Sequence, residues 1–344
     1  MQPSSKTLYL RATGLVGIEA VCREHGLDVA QELVASDIDP AALSDFIRLI
    51  SLQAFNNLML RLSGKTGDET IGLDLALRAP HNLNNMGPLA IVLKLGDTTG
   101  ECVENAIRYI WYLTNGLDVR IVKHPDQGLG EFRYTPFPPM ANTRHMAEHA
   151  LATARSAMTL LLMDETIIPK LVTFRHAASS DTKELENHFG CAIEFERDSN
   201  SLFFDLDLLD IETMGTDDQV AQIVYSYLEA EIQKLSKDLS TEERVETAIL
   251  QLLPSGHCSM DLVSKAMGVH RKSLQRSLRD EGTTYSAVLE RKRLQTALQL
   301  LTETNIPINR VGQSCGYSSA TAFNLAFKKW KDETPQSFRE ANHL

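Results

Sequence analysis

Paired cysteines are missing from this chain. Its 344 residues include five cysteines, Cys22, Cys102, Cys191, Cys258 and Cys315, an odd number with no Cys-x-x-Cys spacing. That leaves no basis for a disulfide framework or a zinc ribbon and fits a reducing compartment. Long apolar runs are also lacking. No stretch approaches the roughly 18 apolar residues needed to cross a bilayer. The N-terminal "MQPSSKTLYLRATGLVG" lacks the long apolar core of a signal peptide. The expectation is a cytoplasmic protein with no membrane partner. The contexts of Cys22, Cys102 and Cys191, "VCREHG", "ECVENA" and "GCAIEF", show no nucleophile elbow, no Gly-x-Ser-x-Gly and no phosphate loop.

An overall excess of positive charge is lacking too. The formal net charge is -11, which taken alone argues against a phosphate-rich partner. The average conceals an asymmetry. Residues 241–344 hold 14 Lys+Arg against 11 Asp+Glu, leaving 20 against 34 in residues 1–240. Such a split is a hint that the last third meets nucleic acid.

Hydrophobic content of 43% and charged content of 23% are those of a folded protein, and the length allows two domains. The first part mixes helix and strand signals. Asp39-Pro40 reads as a helix start, with Leu43, Phe46, Ile47, Ile50, Ala54 and Leu58 following at helical spacing. Thr98 or Thr99 caps a second helix that stops at Gly116. "DVRIVK" and "GEFRY" read as strands around the turn "HPDQG". Asn142 or Thr143 opens a long helix that ends before Pro169. "LVTFRH", "CAIEFE" and "SLFFDL" are strand-like, and Asp198-Ser199-Asn200 is expected to fold the last two into a hairpin. A helix over 217–235 carries Val220, Ile223, Val224, Tyr227, Leu228, Ile232 and Leu235 in one stripe. That stripe fits either a homodimer seam or packing back on the first domain. Ser240-x-x-Glu243 is a capping box, and from there only helices are expected.

Two stretches of this helical part resemble each other, "LVSKAMGVHRKSLQRSL" and "RVGQSCGYSSATAFNLAF". Each has a valine and a small residue (Val263-Ser264, Val311-Gly312), then sulfur before glycine (Met267-Gly268, Cys315-Gly316). Each ends on two apolar anchors four apart, Leu274 and Leu278 or Phe323 and Phe327. The second copy needs one extra residue to align. The pattern describes a helix-turn-helix. Glycine turns the chain in the left-handed conformation, the anchors hold the second helix on a core, and its outer face fits a major groove roughly 12 Å wide. The outward side chains are His270, Arg271, Lys272, Ser273, Gln275 and Arg276 in the first copy. In the second they are Ser319, Ala320, Thr321 and Asn324, with Lys328 and Lys329 nearer the phosphates. "TTYSAVLERKRLQTALQLL" reads as one connecting helix that fixes the distance between the two readers.

At this point residues 240–344 resemble the DNA-binding domain of the AraC/XylS-type bacterial transcription regulators. The most specific stretch is "IPINRVGQSCGYSSATAFNLAFKKWKDETPQSFR". More loosely, residues 1–210 resemble the effector domain of the ornithine-utilisation-regulator-like (arabinose-binding-domain-like) branch, through "GPLAIVLKLGDTTGECVENAIRYI" and "VTFRHAASSDTKELENHFGCAIEFERDSNSLFFDLDLLD". The resemblance implies an α+β effector-sensing domain over 1–210, a linker helix over 211–239 and an all-α double helix-turn-helix domain over 240–344. It implies a non-enzymatic regulator, an activator by type, acting on double-stranded promoter DNA. A small-molecule effector, RNA polymerase and a second copy of the chain are the further partners, and no cofactor is implied. Three positions depart from the family: Leu325 stands where arginine is usual, Ala320 where a larger polar group is common, and Gly312 where alanine is usual. The last costs about 1 kcal/mol of helix propensity.

Other side chains offer chemistry. Arg108, Tyr109, Arg133, Tyr134 and Arg155 are candidates to hold an anionic effector. His145 and His149 have the i, i+4 spacing of a metal pair, but the sequence is "HMAEH", with the glutamate misplaced for a zinc protease, so no metal is expected. The competing reading is a Cys-dependent enzyme domain fused to a DNA-binding module, with Cys22 and His25 three residues apart.

Overall fold

The computed structural model describes residues 8–78, 84–136, 140–213, 215, 218–236, 240–253, 258–267, 269–303 and 307–342. The expectations for Gly268, for Ile306 and for 237–239 lie outside them. The chain divides into two compact units, Met1–Lys234 and Leu235–Leu344.

The first unit begins with β1 (Tyr9–Arg11), α1 (Ile18–Glu24) and α2 (Val29–Val34). The single helix expected from Asp39 does not form. Asp39 caps only a short 3-10 turn, Pro40–Leu43, by accepting from Ala41 N. The chain then extends as β2 (Leu49–Ser51), which pairs antiparallel with β1. A three-residue strand has no local signal; the distant partner β1 creates it and overrides helical spacing. The helix starts afresh at α3 (Leu52–Thr66), capped by Ser51. It is followed by α4 (Ile71–Arg78), α5 (Leu89–Val92) and α6 (Thr99–Arg108). Thr98 is the α6 cap, accepting from Glu101 N. Instead of running on to Gly116, the helix breaks at Tyr109, resumes as α7 (Ile110–Leu113) and ends at Thr114.

A mixed sheet follows: β3 (Leu117–His124), β4 (Leu129–Pro136), β5 (Leu171–Thr173), β6 (Ala192–Glu194) and β7 (Asn200–Asp205) lie in the order β3-β4-β7-β5-β6. The β3–β4 hairpin turns at Gly128, in register from Leu117↔Pro136 to His124↔Leu129. The expected β6–β7 hairpin is corrected. β7 has β4 on one side and β5 on the other, and β6 pairs parallel with β5 instead. The 198–200 segment is tied to β5 and the residues after it: Thr173 donates to Ser199 O at 2.9 Å and Arg175 N donates to Asn200 Oδ1 at 3.0 Å. α8 (Arg144–Leu162) and α9 (Lys183–Phe189) complete the α+β unit, and α10 (Asp218–Ser236) lays Ala221, Val224, Leu228 and Ile232 on the α5–α7 cluster.

The second unit is helical throughout its described residues. α11 (Thr241–Leu252) opens on the expected box, with Ser240 accepting from Glu243 N and Glu243 from Ser240 N. Then come α12 (Met260–Ala266), α13 (Arg271–Asp280), α14 (Tyr285–Glu303), α15 (Ile308–Ser314), α16 (Ala320–Lys331) and α17 (Pro335–Asn342). Two cores form. Val263, Leu274 and Leu278 anchor the first with Val288; Val311, Phe323 and Phe327 anchor the second with Ala297 and Leu301. α14 therefore feeds both cores. With 19 residues it is about 28 Å long, a rod with one helix-turn-helix at each end.

Candidate DNA-reading helices and an internal cavity

In the first helix-turn-helix, α13 buries Leu274 and Leu278 and leaves Arg271, Lys272, Ser273, Gln275 and Arg276 exposed. His270 is exposed as well, at the start of the helix. It is the N-cap of α13, and its ring nitrogen accepts from Lys272 N at 3.3 Å. Arg271 Nη1 reaches both oxygens of Asp261 on α12, at 3.0 and 2.9 Å, in an exposed pair. Lys272, Ser273, Gln275 and Arg276 complete the open face.

In the second motif Gly316 takes the left-handed conformation, φ 74°, and a Cβ there would lie 2.8 Å from Leu253 O. Only glycine makes that turn at that distance. Ser319 caps α16 by accepting from Ala322 N at 3.2 Å. Ala320, Thr321, Asn324 and Lys328 are exposed, as is Lys329, whose Nζ lies 3.8 Å from Glu290. Leu325, where the family carries arginine, is 68% exposed on the same helix.

Sequence reasoning missed the braces of this motif. Arg293 of α14 donates to Gly316 O at 3.0 Å and stacks its guanidinium 4.5 Å over the Tyr317 ring. Trp330 Nε1 donates to Glu290 Oε1 at 2.8 Å. Both tie the turn and reader helix to α14. The only sequence signal was a polar residue set within the apolar stripe of α14. At the other end, Glu281 accepts from Thr241 N and Glu242 N at 2.7 and 2.8 Å. Burial alone would raise the Glu281 carboxyl, but these hydrogen bonds outweigh it and hold it below the usual range.

The first unit holds a partly open cavity of about 200 Å³. α6 and α7 form one wall through Val103, Ala106, Ile107 and Ile110. The sheet forms another through Val119, Ile121, Phe132, Tyr134, Leu202 and Phe204. α8 closes it with His149, Ala150, Thr153, Ala154 and Ala157. Among the described residues no Lys, Arg, Asp or Glu lines it. Asn85 Nδ2 donates to Thr153 Oγ1 at 3.2 Å, while Asn85 Oδ1 and His149 Nε2 are buried without a hydrogen-bond partner. Burial holds the His149 imidazole down to about 4, so it is neutral. An unpaired buried polar atom costs about 1–3 kcal/mol, which makes these two atoms conspicuous in an apolar wall.

The five residues expected to hold an anion are not gathered here. Tyr134 alone is on the cavity wall. Arg133 is spent on Glu131, Nε to Oε1 at 2.7 Å and Nη2 to Oε2 at 2.8 Å. Burial alone would raise the Glu131 carboxyl; bonds from Arg133, Ser201 and His124 outweigh it and hold it low. Tyr109 donates to Glu229 at 3.2 Å and stacks on Tyr225 of α10, with Arg108 beside it. Arg155 donates to Thr159 at 2.7 Å.

His145 and His149 also part company. His145 Nδ1 lies 3.6 Å from the buried Glu148 Oε2, with His176 Nε2 3.6 Å from Oε1, whereas His149 meets the cavity. The thiols carry no sign of activation. Burial pushes Cys22 and Cys102 up to about 11 and Cys315 up to about 12, away from the thiolate a nucleophile needs.

Two helix-turn-helix units on one bridging helix, behind an α+β domain, define a DNA-binding transcription regulator. Comparison with known proteins agrees. The family profile described as "Arabinose-binding domain of AraC transcription regulator, N-term" matches residues 26–212, and "Helix-turn-helix domain" matches residues 263–341. The chain belongs to the AraC family of transcription regulators. It is 26% identical over 336 residues to the HTH-type transcriptional regulator VirS of Mycobacterium tuberculosis, covering 96% of each chain. It is 25% identical over 321 residues to the ornithine utilization regulator of Pseudomonas aeruginosa, covering 92% of each. Among solved structures, the transcriptional regulator CdpR from Pseudomonas aeruginosa matches 90% of this chain and 96% of its own, at 17% identity and a TM-score of 0.44. These domains and relatives are transcriptional regulators and indicate no enzymatic family. Among the described residues no helix is long and apolar enough to cross a membrane.

Proposed function

We propose that this regulator reads two short boxes of bacterial promoter DNA with α13 and α16, and that a small-molecule effector bound within residues 1–210 controls the reading. In this account 211–239 is the linker, 240–344 is the reading domain, and the protein works in the cytoplasm without a cofactor. The observation that carries it is the pairing of a ligand-sized cavity in the first unit with two exposed helix faces mounted on one rod in the second.

On α13, Arg276 and Lys272 suit guanine edges or phosphates and Gln275 suits adenine. On α16, Ser319, Ala320, Thr321 and Asn324 face the bases, Leu325 supplies an apolar contact of the kind made with a thymine methyl, and Lys328 and Lys329 hold phosphates. The effector acts by binding one state of the protein better than another. α10 leaves Val220, Ile223 and Tyr227 exposed, at 43%, 69% and 41%, a face suited to a second copy of the chain. RNA polymerase is the partner through which an activator of this type would work.

The test is selection of fragmented bacterial genomic DNA on the full-length protein at near-physiological salt. Enrichment of a few sites sharing two boxes about one helical turn apart is expected. Uniform, salt-sensitive recovery, with or without effector candidates, would sink the reading.

A further inference from the structure

We infer that the cavity of the first unit takes one uncharged, mostly hydrocarbon molecule, of the size of a substituted benzene, carrying a single hydroxyl-like group held by Asn85 and His149. This rests on the effector reading proposed above and names the chemistry of that site.

Size comes first. An apolar cavity of about 150 Å³ in another protein stays dry and takes up benzene; the cavity here is about 200 Å³. It is kept open by composition. Ala150, Ala154 and Ala157 stand at i, i+4 and i+7 along the wall-forming face of α8, where larger side chains would fill the space.

Charge comes second. Among the described residues no ionisable side chain but His149 and Tyr134 reaches the wall. Burial keeps both neutral, raising Tyr134 and lowering His149. A carboxylate entering would find no cation and would lose its water. It would have to bring a proton, for itself or for His149, and its binding would then weaken as pH rises.

Polar matching comes third. Among the described residues five polar side chains line the wall: Asn85, Thr99, Tyr134, His149 and Thr153. Thr99 already donates to Leu208 O, and Thr153 accepts from Asn85. That last bond fixes the Asn85 amide so that Oδ1 is left to accept. His149 and Thr153 stand one helical turn apart on the same face of α8, and Asn85 is bonded to Thr153, so the two side chains occupy neighbouring parts of the wall. Oδ1 needs a donor; the neutral imidazole nitrogen donates or accepts according to its tautomer. A single hydroxyl, which does both, satisfies the pair. A polyhydroxylated sugar would leave further hydroxyls facing hydrocarbon without partners. The Tyr134 and Thr153 hydroxyls are further polar groups on the wall, but most of it is hydrocarbon, which suits arabinose poorly.

The experiment is thermal unfolding and calorimetric titration of the full-length protein with 4-propylphenol, propylbenzene, 4-propylbenzoate and L-arabinose, at about pH 8, where the benzoate is ionised and the phenol is not. The expected result is one 4-propylphenol per chain with a raised Tm, propylbenzene about tenfold weaker, and neither benzoate nor arabinose bound. Asn85→Leu should erase the preference for the phenol over propylbenzene. Ala154→Leu with Ala157→Leu, which fill the space without removing a polar group, should abolish binding while the protein still unfolds cooperatively. Tighter binding of benzoate or arabinose, undiminished phenol binding by the filled variant, or no response to any probe overturns the assignment. The same probes are then added to the DNA-binding assay. Phenol binding without any change in DNA affinity would leave the ligand chemistry standing and remove effector control. A response of DNA affinity to arabinose but not phenol would do the reverse.

Discussion

Gly312 of α15 faces Phe323 of α16 so closely that a Cβ on the glycine would lie 2.9 Å from the Phe323 Cβ and 3.1 Å from its Cγ. The contact is at the root of the phenylalanine side chain, so the ring cannot swing aside to relieve it. The glycine that departs from the usual alanine thus sets how tightly the helices of the second reader cross.

The consequence is testable. Gly312→Ala gains about 1 kcal/mol of helix propensity but overpacks the crossing, at a cost of about 1–3 kcal/mol. The net expectation is loss of stability in the second helix-turn-helix and weaker DNA binding, with the first motif's base preferences unchanged. Measurement is by urea unfolding and by selection of binding sites. An alanine variant more stable than the parent would show that α15 and α16 can move apart freely.

Base readers and phosphate holders should separate in their salt behaviour. Arg276→Ala on the open face of α13 is expected to cost about 1–3 kcal/mol and to relax selectivity at one base pair. Lys328→Ala on α16 is expected to weaken binding to all sequences alike and reduce the salt slope by about 1. Affinity titrations across a salt series on matched and single-mismatch sites distinguish the two. Equal effects on every site for Arg276→Ala would remove that residue from base reading.

The elements legible in the sequence are those set by neighbours along the chain. Ser240 with Glu243, and Thr98, announced their helices because capping is local. β3 and β4 were legible because Gly128 closes their hairpin. Pairings between distant segments were not. β2 read as helix because β1, some forty residues away, supplies its hydrogen bonds, and β6 was given to β7 because nothing local reveals that β5 lies between them. The exposed faces of α13 and α16 followed from the anchors. The capping duty of His270 and the Arg271–Asp261 pair did not, since both depend on side-chain geometry. The cavity was hidden for another reason: an alanine stripe on a helix reads the same whether it faces packed core or open space.

Arg11 should be among the most costly side chains to remove from the first unit. It is buried, and it donates to Tyr112 O at 2.7 Å and Ile47 O at 2.6 Å, lies 4.0 Å over the Tyr112 ring and reaches Glu231 of α10 at 3.1 Å. Arg11→Ala strands two carbonyls and leaves Glu231 with Lys234 alone, at 2.6 Å, and is expected to cost about 3–5 kcal/mol. Glu231→Gln keeps the shape and a hydrogen-bond acceptor and should cost about 1–2 kcal/mol. If unfolding gives equal losses for both, the ion pair to α10 and not the carbonyl clamp is what Arg11 contributes to stability.

Two neutral histidines make the first unit acid-sensitive. Burial lowers His149 to about 4, and burial followed by repulsion from Arg155 lowers His188 to about 4; both start from about 6.5. Above pH 6.5 neither state binds the proton and the groups contribute nothing to the pH dependence. As pH falls from 6.5 towards 4 the unfolded chain takes up protons that the folded one refuses, so stability falls. Each group accounts for about 2 kcal/mol of loss by pH 5. Comparing unfolding of the parent with His149→Gln and His188→Gln at both ends of that range cancels the carboxylates common to all three. Each variant should lose less stability on acidification than the parent. A parallel loss in all three would mean that the folded protein admits the proton, which for His149 would also remove the electrostatic reason for an uncharged ligand.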